Sequence, residues 1–340
     1  MQYRILGRTG VSVSPFSLGT MLFGGATNAD DAGKMLDVAV DHGINSVDTA
    51  NVYGRGASEE MLGGLLAERP GLRDRLVLSS KVHAPMADDD PNAGGSSRRH
   101  IIDQCHASLR RLGVDHLDVY YLHRPSTRVP IDESLRALDD LVRAGRIRYV
   151  GTSSFAAWQV MESLWAAKEH GLNRPVVEQS PYSLLERRVE RELLPMARTY
   201  GIGVTVWSPL SGGLLTGKYR DRGSPDGARL ARDRDSDWDT RHFGAGPDAV
   251  VDAVAALARD KGCTPAQLSL AWLLTREGVS SVVLGARNPA QLLEQLEAVS
   301  LSLSEEDKTM LDAIAPPGRA TVPYYLDDSF ADLRPHAHRW

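Results

Sequence analysis

The sequence has only two cysteines, Cys105 and Cys263, among its 340 residues. Two cysteines cannot form a disulfide framework, and so few are typical of a protein kept in a reducing compartment. No apolar run reaches the roughly 18 residues that a membrane-spanning helix requires. The first ten residues, MQYRILGRTG, lack the apolar centre of a secretory signal. We therefore expect a cytoplasmic protein with no membrane segment.

A surplus of positive charge is also missing, because 39 Lys and Arg residues face 44 Asp and Glu residues, for a net charge of −5. Binding along the phosphates of a nucleic acid normally requires such a surplus, so no nucleic-acid partner is expected. The hydrophobic fraction of 42% and the charged fraction of 24% are ordinary for a globular protein. A chain this long buries roughly 75% of its extended surface, so it needs neither disulfides nor a structural metal to fold.

Short runs rich in Val, Ile and Leu alternate with longer segments in which apolar residues recur at helical spacing. This alternation predicts parallel strands joined by helices. The predicted strands are Ser17–Met21, Ile44–Thr49, Leu76–Lys81, Val119–His123, Ile147–Gly151, Val176–Gln179, Ile202–Ser208 and Ser281–Leu284. The predicted helices are Asp31–His42, Ser58–Ala67, Arg98–Leu112, Ile131–Ala144, Ala156–His170, Arg188–Tyr200, Pro265–Arg276 and Pro289–Glu297.

Eight strands, each followed by a helix, are what a (β/α)8 TIM barrel needs, at a typical length of about 250 residues. The alternative α/β architecture, a doubly wound open sheet, usually carries a G-x-G-x-x-G turn after its first strand. Here the first strand leads into Gly19 and then Gly24 and Gly25, which is the wrong spacing. The sequence therefore predicts the barrel.

Several segments are predicted additions to that barrel. The residues before Ser17 form an N-terminal β-hairpin that turns at Gly7–Gly10 and covers the bottom of the barrel. Lys218–Pro247, after the seventh strand, is a long charged loop of the kind that is usually functional or disordered. We predict one domain over residues 1–340, with its barrel core at about 17–298 and a C-terminal helix and aromatic tail at 304–340. The two extra helices are Asp248–Lys261 and Ser304–Ala315, and the tail aromatics are Tyr324, Tyr325, Phe330 and Trp340.

Ionisable side chains stand at the ends of three successive predicted strands: Asp48, Lys81 and His123, with Tyr53 in the loop after Asp48. In this fold the active site lies at the carboxyl ends of the strands. Each residue alone has a structural explanation: a turn cap, a lysine at the surface, a packed tyrosine or a loop histidine. The presence of all four side chains at the same end of the barrel, its mouth, favours a catalytic site. Asp48 and Lys81 can be buried there because they pair with each other.

These four residues are suited to protonating a carbonyl oxygen. A tyrosine hydroxyl has a reference pKa near 10, and a lysine cation about 4 Å away, at an effective dielectric of about 20, contributes roughly 4 kcal/mol. Such a cation lowers a tyrosine pKa by up to roughly three units, before a nearby carboxylate offsets part of the effect. Tyr53 is then the candidate proton donor and His123 a hydrogen-bond donor that orients the substrate. Because the set contains no reducing equivalent, a hydride-donating cofactor must supply it.

Four segments resemble the aldo-keto reductase family: Asn45–Gly63, Ser108–Pro125, Tyr149–Phe155 and Val206–Tyr219. The similarity extends over about residues 3–315. Within the last segment, the WSPLSGGLLTGKY run is similar to the branch that includes potassium-channel β subunits and bacterial sugar-aldehyde or ketosugar reductases.

The resemblance implies an NADP(H)-dependent carbonyl reductase, with Asp48, Tyr53, Lys81 and His123 on the positions of the catalytic tetrad. It also implies that Trp207 stacks on the nicotinamide. Two departures are Ser154, at a position that is commonly Asn, and Gln291, where many members carry Arg. The expected cofactor contacts are Gly19, Thr20, Met21, Asp48, Ser153, Ser154, Gln179, Trp207, Ser208, Pro209, Leu210, Gly212, Leu215, Lys218, Gly285, Ala286, Arg287, Gln291, Glu294 and Gln295.

Phosphate often binds near strands seven and eight of this fold, where Arg287 could pair bidentately with a 2′-phosphate or else lie solvated at the surface. Loop position suggests an apolar substrate wall, with His83 and Arg124 available for hydroxyls or a phosphate. Small aldehydes, pyridoxal, aromatic aldehydes and a nucleotide-linked deoxysugar all stay open as substrates. The expected substrate contacts are Phe23, Tyr53, His83, His123 and Arg124.

Two other functions are compatible with a barrel of this kind. The potassium-channel branch suggests a nucleotide-sensing regulatory protein with weak or vestigial catalysis, although such a protein has no need of His123. A metal-dependent hydrolase would need a cluster of His and carboxylate ligands. His83 and His123 lie on neighbouring strand ends. Lys81 and Tyr53 between them are unfavourable neighbours for a metal cation, so no metal is expected. The oligomeric state stays open.

Overall fold

The computed structural model describes residues 1–220, 230 and 242–322. Its strands are β1 (Arg4–Ile5), β2 (Ser12–Val13), β3 (Phe16–Gly19), β4 (Ser46–Asp48), β5 (Val77–Val82), β6 (Leu117–Leu122), β7 (Ile147–Ser153), β8 (Pro175–Pro181), β9 (Gly203–Trp207) and β10 (Val279–Leu284). The α-helices of the described part are α1 (Ala29–Asp41), α2 (Ala57–Ala67), α3 (Arg98–Leu112), α4 (Ile131–Arg143), α5 (Ala157–His170), α6 (Leu193–Tyr200), α7 (Ala245–Asp260), α8 (Pro265–Leu274), α9 (Pro289–Leu296) and α10 (Glu305–Ile314).

Strands β3 to β10 form a closed parallel barrel in chain order, with β10 pairing back onto β3. This confirms the predicted (β/α)8 TIM barrel. Every predicted strand end lies within two residues of the observed one. The apolar runs were a reliable signal because the strands are buried on both faces, against the barrel interior and against the helices.

The predicted helix over Arg188–Tyr200 is wrong at its start. A short 3-10 turn, Arg188–Glu190, comes first, and α6 begins only at Leu193. The reason is Pro195, which has no N–H and is tolerated only in the first turn of a helix. The helix must therefore begin within the few residues before the proline.

The N-terminal hairpin covers the amino-terminal end of the barrel, as predicted. Strands β1 and β2 pair antiparallel. Leu6 and Val13 are 2% exposed and pack in one buried cluster with Val119, Tyr121 and Val177 of the barrel strands. The hairpin therefore fills the end opposite to the one where the functional side chains are expected.

The two helices predicted outside the repeat are present as α7 and α10. Helix α10 begins with the expected capping box, in which Ser304 and Asp307 satisfy each other's backbone N–H groups. After it the chain returns to the barrel, because the Arg187 N–H donates to the Arg319 carbonyl at 2.7 Å and the Val322 N–H donates to that of Leu185. This contact joins the described part of the C-terminal segment to the β8–α6 loop.

Parts of two predictions fall outside the described residues. The first is most of the predicted long loop, at residues 221–229 and 231–241. The second is the set of tail aromatics, Tyr324, Tyr325, Phe330 and Trp340. Across the segments that are described, none of the helices combines the length and the apolar composition needed to span a membrane.

Candidate active site

The barrel brings the four predicted catalytic residues to one mouth. Asp48 is the last residue of β4, Lys81 is the penultimate residue of β5, and His123 follows the last residue of β6. Tyr53 begins the short 3-10 turn between β4 and α2. Because β4, β5 and β6 are neighbours with a fixed parallel register, their carboxyl ends hold these side chains side by side.

Lys81 is completely buried and lies at the centre of the group. Its Nζ donates to Asp48 Oδ2 at 2.5 Å, to the Thr49 carbonyl at 2.8 Å and to the Tyr53 hydroxyl at 3.3 Å. Burial acts to lower the pKa of Lys81, but the charge and hydrogen bonds of Asp48 and Tyr53 act in the other direction, and the pKa is raised above its usual value. The side chain is therefore an ammonium ion at neutral pH, held against the tyrosine hydroxyl.

Asp48 is 3% exposed, and both of its carboxylate oxygens have partners. Oδ2 receives the Lys81 ammonium, while Oδ1 accepts from the Ser79 hydroxyl at 3.0 Å and from the side-chain amide of Gln179 at 2.9 Å. A buried carboxylate is tolerated only when it is paired and hydrogen-bonded in this way. The pairing of Asp48 and Lys81 expected from the sequence is thus present.

The turn that carries Tyr53 has an unusual backbone. Gly54, Arg55 and Gly56 have φ values of 57°, 52° and 104°, in the left-handed region that glycine adopts most easily. Arg55, the non-glycine member, forms a bidentate ion pair with Asp88 of the β5–α3 loop, at 2.7 and 2.9 Å. The tight turn returns the chain to α2 and leaves the tyrosine side chain beside Lys81.

His123 lies against Tyr53, with the ring centroids 5.9 Å apart and the rings edge to face. Its enclosure by protein, together with the cations of Lys81 and Arg124 and the neighbouring His83, places the pKa of the imidazole well below 6.5. The ring is therefore neutral at pH 7, with one N–H donor and one acceptor nitrogen. A neutral donor next to a tyrosine hydroxyl is suited to holding a carbonyl oxygen.

The predicted substrate residues occupy different environments. The Arg124 guanidinium lies 5.9 Å from the ring centroid of Trp207 and donates from Nη1 to the Ser154 hydroxyl at 3.2 Å. His83 Nδ1 lies 3.1 Å from the Ser96 hydroxyl. Phe23, also expected at the substrate wall, is 1% exposed and packs in the main hydrophobic core.

The residues expected near a nicotinamide form a connected group at the ends of β7, β8 and β9. The Ser153 hydroxyl donates to the Gln179 carbonyl at 2.9 Å, and the Ser154 N–H donates to the same carbonyl, also at 2.9 Å. Ser154 has a φ of 62°, and the next N–H, that of Phe155, donates to Glu178 Oε1 at 3.1 Å. The buried carboxyl group of Glu178 thus fixes the chain just after the end of β7.

Glu178 is the residue of this group that sequence reasoning missed. It is fully buried, and burial raises its pKa to about 8, against the hydrogen bonds that it accepts. A charged residue inside the run Val176-Val177-Glu178-Gln179 was an available signal, because Glu is almost never fully buried without a specific reason.

The residues expected at the phosphate groups of a dinucleotide also converge. Gly213 has a φ of 97°, in the left-handed region that favours glycine, and a Cβ added to it would lie 2.8 Å from the end of the Lys218 side chain, which would have to move. Burial and the nearby Arg287 cation lower the pKa of Lys218. Two cations placed close enough to oppose each other are typical of a site for a multiply charged anion.

Further along the cleft, Gln295 Oε1 is buried and has no hydrogen-bond partner within the described part of the chain. Gln291 Oε1 accepts from the Arg287 N–H at 3.0 Å, so this side chain shapes the loop after β10. Leu215 is wholly buried, and Thr20 bonds to Ser58. An unsatisfied amide, opposed cations and a glycine-lined turn fit an adenosine phosphate. The remaining predicted contacts lie at the ends of β3, β9 and β10 or in the turns that follow them, except Glu294, which lies on α9: Gly19, Met21, Ser208, Pro209, Leu210, Gly212, Gly285, Ala286 and Glu294.

No three His, Cys, Asp or Glu side chains of the described residues are grouped so that they could hold a metal ion. The His83 and His123 pair considered for a hydrolase therefore has no third ligand of these types within that part of the chain.

The sequence profile of the Aldo/keto reductase family matches residues 15–316, and the chain belongs to this family. It is 38% identical over 303 residues to a "Probable voltage-gated potassium channel subunit beta" of Arabidopsis thaliana, covering 88% of this chain and 92% of that protein. A protein of the same name from Oryza sativa subsp. japonica is 36% identical over 303 residues, with the same coverage. The "Uncharacterized oxidoreductase YrpG" of Bacillus subtilis is 38% identical over 333 residues, which is 96% of this chain and 99% of that one.

These findings confirm the family and the branch expected from the sequence motifs. Family membership and the oxidoreductase relative support carbonyl reduction as the general class of reaction.

Proposed function

We propose that this protein reduces an aldehyde or ketone to an alcohol with NADPH as the hydride donor and Tyr53 as the proton donor. The observation that carries the proposal is the position of the Lys81 ammonium, which bonds to both the Asp48 carboxylate and the Tyr53 hydroxyl at the barrel mouth. The proposal includes the cytoplasmic location expected from two unpaired cysteines, Cys105 and Cys263.

Lys81 acts on the proton step. Loss of a proton from Tyr53 leaves a tyrosinate, and the ammonium 3.3 Å away stabilises this anion because their charges attract in a site with little water. Asp48 keeps Lys81 charged and fixes its direction. The proton of Tyr53 goes to the carbonyl oxygen of the substrate. Neutral His123, whose ring is edge-on to that of Tyr53, donates a hydrogen bond to the same oxygen and orients the substrate.

The residues that would hold the cofactor are those on β7 to β10. Ser153, Ser154 and Gln179 would bind the carboxamide, Trp207 would stack on the ring, and the cations near β9 and β10 would bind the phosphates. When bound, NADPH supplies the hydride that none of the protein's side chains can supply.

A second candidate function is a nucleotide-sensing regulatory subunit. It is favoured by the names of two relatives, which are potassium-channel β subunits. In that case the protein would bind NADPH tightly and turn it over slowly, and it would have a protein partner.

The test is the loss of NADPH absorbance with a panel of small, aromatic and sugar aldehydes, for wild type and Tyr53→Phe. We expect the variant to lose several orders of magnitude in turnover while the NADPH Kd, measured from tryptophan fluorescence, stays within about twofold. Tyr200→Phe, at an exposed tyrosine at the end of α6, is the matched control and keeps full activity. A Tyr53→Phe variant with more than a tenth of wild-type turnover contradicts the proton-donor assignment. Tight NADPH binding without turnover on any aldehyde supports the sensor.

A further inference from the structure

A buried ion pair lies next to the turn that carries Tyr53, and the proposed chemistry does not use it. Glu59, in the first turn of α2, is fully buried. Its Oε2 accepts from Nε of Arg111, near the end of α3, at 2.7 Å, and its Oε1 accepts from the Ser80 hydroxyl. Because Ser80 directly precedes Lys81 on β5, this carboxylate joins α2 and α3 to the strand that carries the ammonium of the site.

Arg111 also lies against the turn itself. Gly56, the last residue of the turn and the N-cap of α2, has a φ of 104°. A Cβ added to Gly56 would lie 2.8 Å from Cδ and 3.1 Å from Nε of Arg111, so the arginine stem occupies the space where a side chain at this position would begin. The Arg111 side chain is 17% exposed, so most of it is shielded from water. The arginine therefore supports the turn three residues after Tyr53.

The other contacts of this region hold it differently. The side chains of the Arg55–Asp88 pair are 61% and 76% exposed, and an exposed ion pair is weakened by water and salt. The Ser58 hydroxyl donates to the Thr20 carbonyl at 2.8 Å, which attaches the start of α2 to the chain after β3. The buried ion pair adds an attachment to β5, the strand of the catalytic lysine.

The distance that this support controls is the 3.3 Å between the Tyr53 hydroxyl and Lys81 Nζ. It is already long for a hydrogen bond, so an outward shift of the turn by about 1 Å would break the bond. Lys81 does not follow such a shift, because Asp48 and the Thr49 carbonyl fix its ammonium. A misplacement of about 1 Å costs roughly a hundredfold in rate.

We propose that Glu59 and Arg111 are positioning residues that set the distance between the Tyr53 hydroxyl and the Lys81 ammonium. A buried ion pair often adds little net stability, because taking the charges out of water offsets their attraction, so a role in geometry gives a reason for its presence. Neither side chain touches substrate or cofactor in this proposal. The inference rests on the proposed reductase function and specifies how its proton donor is held.

The experiment compares this pair with a matched pair at the other end of the barrel. Arg73, in the short turn before β5, pairs with Asp118 of β6 at 2.9 Å, and its side chain is 18% exposed against 17% for Arg111. The variants are Arg111→Met, Arg111→Lys and Glu59→Gln, with Arg73→Met as the control.

Five quantities are measured for each variant. They are kcat and KM for 4-nitrobenzaldehyde and for glyceraldehyde, the NADPH Kd, the solvent deuterium isotope effect on kcat, the urea unfolding curve, and the hydrogen exchange of the peptide that contains residues 52–56. The exchange of this peptide reports on the turn without any turnover.

We expect Arg111→Met to lower kcat by about a hundredfold, while KM and the NADPH Kd stay within about threefold, because the displaced group acts in the proton step. The solvent isotope effect should rise, since proton transfer then limits the rate, and the 52–56 peptide should take up more deuterium. Arg111→Lys keeps a stem and a charge and should recover part of the loss. Arg73→Met should lower stability as much as Arg111→Met and leave kcat and the peptide unchanged.

The inference is overturned if a folded Arg111→Met variant keeps more than about a third of wild-type kcat, since a displaced Tyr53 cannot do so. An equal loss of kcat in Arg73→Met also overturns it, because the effect would then be one of stability alone. If Arg111→Met does not fold, Glu59→Gln, which keeps the shape of the side chain and removes its charge, must show the same loss in kcat at unchanged KM.

Failure of the reductase function is a separate outcome. If wild type reduces neither aldehyde, that function fails, and the exchange of the 52–56 peptide still decides the support of the turn. Uptake that is the same in wild type, Arg111→Met and Glu59→Gln overturns the inference, and uptake that rises in these variants and not in Arg73→Met supports it.

Discussion

The side-chain amide of Gln179 donates to Asp48 Oδ1 at 2.9 Å, although the two residues are 131 positions apart in the chain. They stand at the ends of β8 and β4, which are opposite strands of the eight-stranded barrel. The other oxygen of Asp48 binds Lys81 at 2.5 Å. One carboxylate therefore fixes both a residue expected to hold the nicotinamide and the ammonium expected to assist the proton transfer.

Gln179→Leu should affect both sides of the site. Removal of a hydrogen bond to a buried charge costs about 1.5–3 kcal/mol, so the free energy of unfolding should fall by that amount. The NADPH Kd should rise as well, because Gln179 is also one of the residues proposed to bind the carboxamide. Urea unfolding and fluorescence titration measure the two effects.

Ser79→Ala is the matched control for this prediction. It removes the other bond to Asp48 Oδ1, at 3.0 Å, and Ser79 of β5 is not among the expected cofactor contacts. It should lower stability and leave the NADPH Kd unchanged. Equal changes in Kd for both variants would show that Gln179 acts only as a structural partner of Asp48.

Lys81→Met should be damaging in two ways. It leaves the Asp48 carboxylate buried without its cation, and breaking a buried ion pair by removing one partner costs about 3–5 kcal/mol. It also removes the ammonium beside Tyr53, so turnover should be lost. The double variant Asp48→Leu with Lys81→Met should recover much of the stability and none of the turnover. A stable, active Lys81→Met variant would contradict the role assigned to Lys81.

The pH profile tests the state of His123. Because enclosure and the neighbouring cations place the pKa of this imidazole well below 6.5, the ring stays neutral as pH falls through 6.5. We therefore expect the profile of kcat/KM from pH 5.5 to 8 to have no inflection near pH 6.5. An inflection there that disappears in His123→Gln would show that the imidazole becomes charged in the working range.

The sequence predicted the barrel and its mouth well, because both depend on local patterns. The run that ends at Asp48 and the run that ends near Lys81 place their last residues at one edge of any parallel sheet. The Asp48–Gln179 bond could not be predicted, since nothing local in the sequence pairs β4 with β8 across the barrel.

Side-chain direction was also hard to predict. Phe23 was expected at the substrate wall, and the structure buries it in the core, because the loop after β3 turns back through the bridge between Phe23 and Thr27. Glu178 was missed because a strand buried on both faces gives no alternation that marks which polar residue faces inward.

Coenzyme selectivity depends on Arg287 in the proposed function. Arg287→Leu should raise the NADPH Kd by tenfold or more and change the NADH Kd little, because a guanidinium binds a 2′-phosphate through paired charge-assisted bonds and NADH lacks that group. Arg110→Leu, at an exposed position on α3, controls for the change in net charge. Equal effects on the two coenzymes would place the 2′-phosphate elsewhere.

Glu178 should make stability fall as pH rises. Its pKa in the folded protein is about 8, against 4.5 ordinarily, so the folded state holds a proton that the unfolded chain has already released between those values. The contribution of Glu178 to the free energy of unfolding has its full value below pH 4.5. It declines by about 1.4 kcal/mol per pH unit from there up to about pH 8. The physical cause is burial, which outweighs the hydrogen bonds from Thr152, Ser180 and the backbone that favour the ionised form.

Glu178→Gln removes this titration and keeps the shape of the side chain and its acceptor oxygen for the Phe155 N–H. Urea unfolding from pH 5 to 8 should therefore show wild type losing up to about 4 kcal/mol relative to the variant across that range. Glu169→Gln, at an exposed position near the end of α5, should leave the slope as in wild type. Parallel slopes for wild type and Glu178→Gln would show that Glu178 is ionised throughout.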